Sequence, residues 1–376
     1  MSYHGRFEQA RQPKRPGKKK GLKIFLIVIA VILALLLILA GAAYLFLQSK
    51  LKKMNIIELP KDTYVYTEPT DEVTRPLETG EAETTEAPTE ETVHQMSADD
   101  IINILFVGQA ARAGEEETMA DSTMLISINT YTKEVTCMSI LRDSYVKLPD
   151  YKGHTCGRAK FTVCYNLGYQ WGGGVAGGME MTNICLKDNF GIEVDYNVEV
   201  SFDSFIKMID YIDGIDIDLT QAEADYLNKD TLYVKRTIEP GVQRLQGMEA
   251  LSYARMRKAA GDSESDIKRT ERQRKVVEAL LEKFRYRSIA NLNNWIDTLL
   301  PMVSTTMTPT DVTMLAAKVL PIFSELKIKG NTVPMEGWGD MVDIYDDGQI
   351  HSVMRFDTAK EKKLIRAITE AEVSTD

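Results

Sequence analysis

An almost uninterrupted apolar segment near the amino terminus constrains this chain more than any other feature of its sequence. The segment runs from Ile24 to Leu47. Roughly 20 or more apolar residues are enough to cross the hydrocarbon core of a bilayer as a helix. A cleaved signal peptide is the alternative, and Gly41–Ala43 could provide its cleavage site, but its apolar region would be only about 7–15 residues long. We therefore predict a transmembrane helix over 24–47.

Basic residues are concentrated before this segment. Residues 1–23 form a tail with eight Lys and Arg side chains, whereas only Lys50, Lys52 and Lys53 closely follow the segment. Because basic flanking residues remain on the cytoplasmic side of a membrane, we predict a cytoplasmic amino terminus. The rest of the chain is then extracellular, in a single-pass protein of the cell membrane.

The part beyond the membrane is acidic. Residues 1–53 carry eleven basic and one acidic side chain, so the rest holds a net charge of −20 within a total of −10. Nucleic-acid binding depends on extended basic surface, so we expect no nucleic-acid partner. Residues 48–100, rich in Thr, Glu and Pro, predict a disordered extracellular stalk. The remaining 101–373 are enough for one α/β domain with a full core.

Strand and helix patterns alternate along this outer domain. Continuous apolar residues over Ile101–Val107 predict a central strand that is buried on both faces. Two β-type segments, Thr123–Ile128 and Glu134–Ile140, predict a hairpin. The later patterns predict a helix at Met179–Phe190, a β-α-β passage of Val194–Val200, Phe202–Ile212 and Ile215–Leu219, helices at Gln246–Arg257, Ile289–Val303 and Thr310–Ile328, and a closing strand at Ile350–Phe356.

Arginines cluster on either side of one short loop. Arg255 and Arg257 precede the loop, Arg269 and Gln273 follow it, and the acidic Asp266 lies between them. Helical spacing places Arg269 and Gln273 on the stripe that buries apolar residues one turn later, so both side chains need partners. Guanidinium groups match phosphate oxygens bidentately and would repel one another without an anion. The sequence therefore predicts a pyrophosphate-binding cluster.

Two structural explanations compete with this hypothesis. Charged side chains at the start of a helix are most often solvated, and Arg272 and Arg274 would then face water. Arg255 and Arg257 would be stabilised by the negative end of a helix dipole if they occupy the last turn of Gln246–Arg257.

A second charged group follows the strand that ends at Ile140. Arg142 and Asp143 come at the carboxyl end of a core strand, which is where open α/β sheets bind ligands. A local salt bridge at a strand end would explain this pair equally well.

Several common kinds of site lack the residues they need. The chain has four histidines and no C-x-x-C spacing, so few residues are available for a zinc site or a Ser-His-Asp triad. It contains no Walker-type loop and no G-x-S-x-G elbow. Gly172–Gly174 with Gly177 and Gly178 predict a plain loop that leads into a helix. The four cysteines either form disulfides, most plausibly Cys156 with Cys164, or remain free buried thiols.

Four segments occur in a distinctive order: ADSTMLISI, SILRDSYV, VQRLQGMEALSYARMR and DIKRTERQR. With the anchor and the acidic stalk, they make 101–287 resemble the LytR-CpsA-Psr family of cell-envelope glycopolymer transferases. The resemblance implies an α/β/α sandwich around a mixed central sheet, with an apolar cavity for a polyprenyl chain. It implies a phosphotransferase that moves a teichoic acid or capsular polysaccharide from an undecaprenyl-pyrophosphate carrier to peptidoglycan N-acetylmuramic acid.

The resemblance also implies roles for individual residues. Asp121 would bind Mg²⁺, and Asp266 would orient the arginines or take the acceptor proton. Together with Arg142 these two would form the catalytic group. The pyrophosphate contacts implied by the resemblance are Arg142, Arg255, Arg257, Arg269 and Gln273.

Three positions depart from the family's pattern. Gln109 stands where the family has an aspartate as a second magnesium ligand, Met119 stands in place of an arginine, and Leu141 in place of a proline. Gln109 offers a neutral carbonyl oxygen, although magnesium sites commonly rest on one or two carboxylates. These departures keep a second hypothesis open, a non-catalytic polyprenyl-pyrophosphate-binding or envelope scaffold protein.

Overall fold

The structure is a computed structural model that describes residues 49, 51–60, 98–109, 120–257, 259, 265–285, 298–346 and 349–370. The chain divides into two units, Met1–Lys52 and Lys53–Asp376, and the fold below is that of the second unit. Within the described ranges, no helix has the length and apolar character needed to cross a bilayer. The predicted transmembrane helix and most of the predicted stalk lie outside the described residues.

A seven-stranded mixed sheet lies at the centre of this unit. The described strands are β1 (Asn55–Ile56), β2 (Ile101–Gln109), β3 (Ala120–Asn129), β4 (Glu134–Ile140), β5 (Tyr145–Lys147), β6 (Arg158–Lys160), β7 (Tyr196–Ser201), β8 (Ile215–Leu219), β9 (Gly241–Leu245), β10 (Ser304–Thr305), β11 (Lys327–Val333), β12 (Gly339–Asp346) and β13 (Gln349–Phe356). The order in the central sheet is β1-β10-β7-β2-β3-β4-β11. The apolar run predicted as a central strand is β2, parallel to β7 and antiparallel to β3. The predicted β3–β4 hairpin is confirmed.

Helices cover both faces of this sheet. They are α1 (Thr162–Trp171), α2 (Val175–Phe190), α3 (Phe202–Tyr211), α4 (Gln221–Lys229), α5 (Gly247–Arg255), α6 (Ser265–Arg285), α7 (Pro309–Val319) and α8 (Thr358–Thr369), with short 3-10 turns at Ala98–Asp100, Leu300–Met302 and Leu320–Glu325. On one face α1, α2 and α8 pack against Leu105 and Met138. On the other face α6 and α7 pack against Met124 and Val135. The predicted α/β class with a mixed central sheet is therefore confirmed.

Glycines allow α1 and α2 to pack against each other at close range. Gly177 and Gly178 lie inside α2, so the prediction of a plain loop was wrong for these two residues. A Cβ atom at Gly177 would overlap the backbone of Gly168 in α1 and of Gly172, which follows this helix. The turn between the helices contains Gly174, whose φ of 94° is a conformation that side chains disfavour. The glycine-rich patch is therefore a helix–helix contact.

The predicted β-α-β passage differs from the structure in its last strand. β8 leaves the central sheet and pairs antiparallel with β9, with Ile215 opposite Leu245. Ile215, Ile217 and Leu219 are buried, whereas the residues between them are exposed. This alternation is typical of a sheet with one solvated face, whereas a central parallel strand is apolar throughout.

The carboxyl-terminal part also differs from the sequence prediction. The helix predicted at Gln246–Arg257 ends at Arg255. The helix predicted at Thr310–Ile328 stops at Val319, and a 3-10 turn with a proline in its first positions follows it. The segment after this turn is β11, which pairs parallel with β4 over its whole length. α8 was not predicted, and most of the helix predicted at Ile289–Val303 lies outside the described residues.

Two further expectations can be compared with the structure. Asn55–Ile56 form β1 and pair with Ser304–Thr305, so this stretch of the predicted disordered stalk is part of the sheet. The four cysteines are free thiols, and the predicted Cys156–Cys164 disulfide is absent. Three of the thiols are buried, which agrees with the alternative prediction.

Candidate functional site

The β3–β4 hairpin brings one acidic and one basic side chain together at an end of the sheet. Asp121 is the second residue of β3, and Arg142 follows β4. The register pairs Met124 with Ser139, so three residues further along the two antiparallel strands Asp121 lies opposite Arg142. Nη1 of Arg142 donates to Oδ1 of Asp121 at 3.0 Å. The predicted strand-end salt bridge therefore exists, but its acidic partner is Asp121 across the hairpin.

The ends of two helices add the remaining predicted residues. Arg255 is the last residue of α5, and Arg257 lies just beyond it. Asp266, Arg269 and Gln273 occupy the first turns of α6. The 3.4 Å ion pair between Nη2 of Arg269 and Oδ1 of Asp266 joins two successive turns of this helix.

These side chains surround a polar pocket of about 790 Å³, which we call the inner pocket. Five of the residues predicted from the sequence line it: Asp121, Arg255, Arg257, Arg269 and Gln273. Its wall is completed by Tyr226, Asp230, Tyr233 and Ser252, none of which the sequence singled out.

Two arginine side chains near this pocket have unused hydrogen-bond donors. The side chain of Arg269 is 4% exposed. Nε of Arg269 and Nε of Arg142 are buried and have no hydrogen-bond partner. Burial, together with the nearby Arg142 and Arg257, holds the pKa of the Arg269 guanidinium below its ordinary value. Buried donors without partners are costly, and an anion in the pocket would bring opposite charge to this group of arginines.

Arg255 is held in place by an aromatic residue on each side. Its guanidinium carbon lies 5.0 Å from the centroid of the Phe202 ring. Nη1 of Arg255 donates to the Tyr233 hydroxyl at 3.2 Å. Stacking of this kind orients a guanidinium while leaving other donors free, so Arg255 is prepared for an incoming anion.

An apolar cavity of about 820 Å³ adjoins the inner pocket. The two share Asp121, Arg255 and Gln273 in their walls. The remaining wall of the cavity is almost entirely apolar, and it is formed by the sheet and by α3, α5 and α6 through Phe106, Met124, Phe205, Met208, Leu251, Val276, Val277 and Leu280. This arrangement joins an apolar chamber to a cationic mouth, as an amphiphile with an anionic head group would require.

A wider, polar groove of about 1780 Å³ lies on another side of the inner pocket. We call it the outer groove. It shares Arg257 with the inner pocket and is lined by Arg142, Asp143, Lys160 and Asp266. The outer groove and the apolar cavity have no lining residue in common. The inner pocket therefore lies between the apolar cavity and the outer groove.

The strand register places Gln109 opposite Ala120, the residue before Asp121, which is the other predicted metal ligand. Gln109 ends β2 at a register irregularity opposite Ala120, is 7% exposed, and is not among the residues lining the three cavities. Met119 lies outside the described residues. Within the described part of the chain, no group of three or more His, Cys, Asp and Glu side chains could hold a metal. The Asp121 carboxylate beside an anion pocket still fits Mg²⁺, which is often bound by one or two carboxylates and substrate phosphates.

Arg272 and Arg274 are buried, in contrast to the solvent-facing arrangement of the alternative explanation. Nε of Arg272 lies 2.9 Å from Oε1 of the buried Glu223. Nη1 of Arg274 donates to Ser139 at 3.1 Å and to the Asn331 carbonyl oxygen at 3.2 Å. Both arginines hold α6 against its neighbours, and their partners lie too far away in sequence to be predicted.

The fold and the site together define a class of protein, an α/β domain with an apolar cavity that opens into an arginine-lined polar pocket. The chain belongs to the LytR_cpsA_psr family, whose family model matches residues 74–362. The family resemblance drawn from the sequence is thereby confirmed.

Curated relatives and solved structures extend the comparison. The polyisoprenyl-teichoic acid–peptidoglycan teichoic acid transferase TagT of Bacillus subtilis is 31% identical over 206 residues, which is 53% of this chain and 58% of TagT. The regulatory protein MsrR of Staphylococcus aureus is 30% identical over 68% of this chain and 72% of MsrR. A structure of Bacillus subtilis TagT with bound octaprenyl pyrophosphate lipid has a TM-score of 0.52 at 20% identity, over 74% of this chain and 94% of that one, and shows likeness of fold.

Proposed function

We propose that this protein is a membrane-anchored phosphotransferase of the cell envelope. It attaches an anionic glycopolymer of the teichoic acid or capsular polysaccharide type to peptidoglycan N-acetylmuramic acid, taking the polymer from an undecaprenyl-pyrophosphate carrier. The observation that carries the proposal is the arginine-lined inner pocket, which shares Asp121, Arg255 and Gln273 with an apolar cavity. The name of TagT as a teichoic acid transferase supports it.

The donor substrate matches the cavities in polarity. The polyprenyl chain occupies the apolar cavity, and its pyrophosphate lies in the inner pocket. Arg255, Arg257, Arg269 and Gln273 bind the phosphate oxygens there, and Arg142 approaches them from the hairpin beside Asp121. Guanidinium donors in a partly buried pocket bind such groups strongly because little water competes with them.

The reaction forms one phosphorus–oxygen bond and breaks another. The acceptor hydroxyl oxygen attacks the phosphorus that carries the glycan, and polyprenyl phosphate leaves with the electrons of the broken pyrophosphate bond. The arginines neutralise the charge that develops on the phosphate oxygens. Asp266 lines the outer groove and takes the proton of the acceptor hydroxyl.

Asp121 is the residue that would hold Mg²⁺. A bound Mg²⁺ would neutralise phosphate charge at the pyrophosphate. Arg142 pairs with the Asp121 carboxylate at 3.0 Å, which orients this carboxylate at the mouth of the inner pocket.

We place the protein in the cell membrane on the helix predicted at 24–47. The amino terminus is cytoplasmic, and the domain from 101 onward faces the wall, where peptidoglycan and the membrane-borne donor are both within reach. The excess of basic residues before the predicted span supports this orientation.

A transfer assay with purified full-length protein in detergent tests the proposal. The donor is a polyprenyl-pyrophosphate-linked teichoic acid precursor with a labelled glycan, and the acceptor is uncross-linked peptidoglycan. We expect label in muramic acid phosphate after hydrolysis of the product, and its loss in Arg142→Ala. Label that stays in the lipid fraction, while TagT transfers it under the same conditions, contradicts the proposal.

One observation favours a second candidate function, a binding or scaffold protein without catalysis. Gln109 brings no charge and is not among the residues that line the cavities, so Asp121 is the single carboxylate available to a metal from the predicted ligand pair. This candidate predicts retained lipid without transfer, which the same assay distinguishes when the lipid content of the protein is measured beside it.

A further inference from the structure

One face of the β12–β13 hairpin is open to solvent although it carries large apolar side chains. The antiparallel register places Met341 opposite Met354, and Tyr345 opposite Ile350. Successive side chains of a strand point to opposite faces, so residues two apart share a face. We call the face that carries these pairs the hairpin face, and its members are Met341, Asp343, Tyr345, Ile350, Ser352 and Met354.

The two faces of the hairpin differ in exposure. On the hairpin face Tyr345 is 77% exposed and Ile350 is 71% exposed. On the opposite face Val353 is 1% exposed, and its cross-strand partner Val342 is half-buried. Single exposed apolar side chains are common on protein surfaces, whereas neighbouring ones on one face indicate an interaction surface.

The hairpin face continues the outer groove. Met341 and Met354, at the base of the hairpin, line this groove. Met354 N donates to Asp143 O at 2.8 Å, which fixes the base of the hairpin beside the turn that carries Arg142. At about 3.4 Å per residue, the strand from Met354 to Ile350 extends the groove by about 14 Å. A continuous surface therefore leads from the edge of the inner pocket to the exposed end of the hairpin.

The chemistry of the hairpin face suits a glycan strand. The C–H face of a sugar ring is apolar and can lie flat against the ring of Tyr345, which offers an apolar face and a polar hydroxyl. Asp343 and Ser352 lie opposite each other between the two apolar pairs and provide acceptors for hydroxyl and amide groups. None of the six side chains is basic, so an anionic polymer or an anionic membrane surface would find no opposite charge there.

We propose that the hairpin face binds the sugar backbone of the acceptor strand, which is rich in hydroxyl and acetamido groups, and that Tyr345 stacks on one of its rings. This inference rests on the proposed transferase function, because the outer groove is then the route by which the acceptor reaches the inner pocket. The groove shares no lining residue with the apolar cavity. Donor lipid and acceptor glycan therefore have separate binding surfaces.

Co-sedimentation of the purified full-length protein with uncross-linked peptidoglycan tests the hairpin face. Tyr345→Ala should raise the half-saturating peptidoglycan concentration about tenfold, through loss of the stacked ring. Binding of octaprenyl pyrophosphate and the melting temperature should not change, because the side chain is exposed and outside the apolar cavity and the inner pocket. In the transfer assay the same variant should raise the KM for peptidoglycan and leave kcat unchanged, since Tyr345 contacts no reacting atom.

Tyr131→Ala is the matched control. Tyr131 is 44% exposed and lies in the turn between β3 and β4, at the end of these strands opposite to Asp121 and Arg142. This variant should bind peptidoglycan as wild type does. Tyr345→Trp should also retain binding because an aromatic ring is kept, whereas Tyr345→Leu should weaken it. This pair separates stacking on a sugar ring from general apolar contact.

Other occupants of the hairpin face would give different results. Quenching, by brominated phospholipid in reconstituted vesicles, of the fluorescence that Tyr345→Trp adds to wild type would assign the face to the membrane. A changed oligomeric state of Tyr345→Ala in sedimentation velocity would assign it to a second copy of the chain. Either result overturns the glycan-binding surface while the transferase function stands.

The remaining outcomes separate this inference from the function on which it rests. Peptidoglycan binding by Tyr345→Ala equal to that of wild type, or no binding by wild type, overturns the glycan-binding surface. Binding that depends on Tyr345 without any transfer by wild type overturns the transferase function instead, and the binding surface stands.

Discussion

At the scale of single residues, the environment of the Arg269 side chain shows why an anion would stabilise the inner pocket. It is 4% exposed, has one ion pair at 3.4 Å with Asp266, and keeps a buried Nε without a hydrogen-bond partner. Burial and two neighbouring arginines lower its pKa, so the charged form is held there at a cost. A pyrophosphate would offset that cost directly, because it brings both acceptors and negative charge.

Replacing one arginine of the inner pocket should weaken the lipid's binding and leave the fold intact. Arg255→Ala or Arg269→Ala should each lose about 1.5–3 kcal/mol of binding free energy for octaprenyl pyrophosphate, the range for hydrogen bonds to charged groups. Isothermal titration calorimetry measures the change. Arg244→Ala is the control, since this surface arginine pairs with Asp213 and Asp216 away from the site. Unchanged binding with a lower melting temperature would show that these arginines are structural.

Gln109 offers a test of the magnesium proposal. Gln109→Asp should lower the half-saturating magnesium concentration for transfer, because a hard, charged ligand replaces a neutral one. Since position 109 is buried, the new carboxylate should also make the melting temperature rise more steeply with magnesium than in wild type. Asp121→Asn should abolish the response of transfer to magnesium. If transfer by the wild-type protein were unaffected by a chelator, Asp121 would not be a metal ligand.

Glu199 provides a prediction about the dependence of stability on pH. Burial raises the pKa of this carboxyl group from 4.5 to about 7, although Tyr165 and Ser304 donate hydrogen bonds to it. The folded protein therefore keeps a proton that the unfolded chain releases. The resulting stability is complete below pH 4.5 and is lost as the pH rises through 7.

Glu199→Gln should remove this dependence on pH. At pH 8 its free energy of unfolding should exceed that of wild type by about 3 kcal/mol, while at pH 4.5 the two should be similar. Urea denaturation at the two pH values measures the difference. If the free energy of unfolding decreased equally in both proteins between pH 4.5 and pH 8, Glu199 would not be the group that binds the proton.

The packing of α1 against α2 shows how glycines act at the scale of elements. Gly168 of α1 and Gly172, directly after this helix, face Gly177 and Gly178 of α2, and a Cβ atom at any of the four would overlap the opposite segment. The contact supports the face of the sheet opposite the apolar cavity, where Leu105 and Met138 are buried. A substitution that moves α1 and α2 apart should therefore lower the stability of the domain without changing the site directly.

Gly177→Ala should destabilise the domain by about 1–3 kcal/mol, as overpacking does in a filled interior. Gly157→Ala is the matched control, because its Cβ would meet no atom within 4 Å and its backbone is not left-handed. Thermal denaturation of both variants decides the matter. Equal melting temperatures for the two would show that α1 and α2 can separate freely.

Local patterns predicted those elements that depend on local interactions. The β3–β4 hairpin and the central strand β2 follow from alternation and from a continuous apolar run. β11 was not found, because it is a strand only through its pairing with β4, almost two hundred residues earlier. The separate β8–β9 pair was missed for the same reason, because the sequence pattern of one strand does not indicate which other strand it pairs with.

The same distinction between local and long-range interactions applies to the residues of the site. Arg255, Arg257, Arg269 and Gln273 could be placed around one pocket because they flank a single loop and helical spacing orients α6. The meeting of Asp121 with Arg142 depends on hairpin register and came only from the family resemblance. The partner of Asp143 could not be predicted, because Lys160 reaches it from β6, a separate element.

At the scale of the whole molecule, three adjoining cavities differ in polarity. The proposed function places the carrier chain in the apolar cavity and its pyrophosphate in the inner pocket. The sheet forms a wall common to these two cavities, and α6 reaches all three with Gln273, Arg269 and Asp266. One helix therefore contributes side chains to each of the three cavities.

The most direct test of the central claim is the lipid content of the protein purified from its own membranes. We expect mass spectrometry of an organic extract to show a polyprenyl phosphate or pyrophosphate close to one per chain, and much less in Arg255→Ala. Full-length TagT, prepared in the same way, is the positive control. Absence of any polyprenyl lipid from wild type, while TagT yields one, would contradict a carrier-binding function for this cavity.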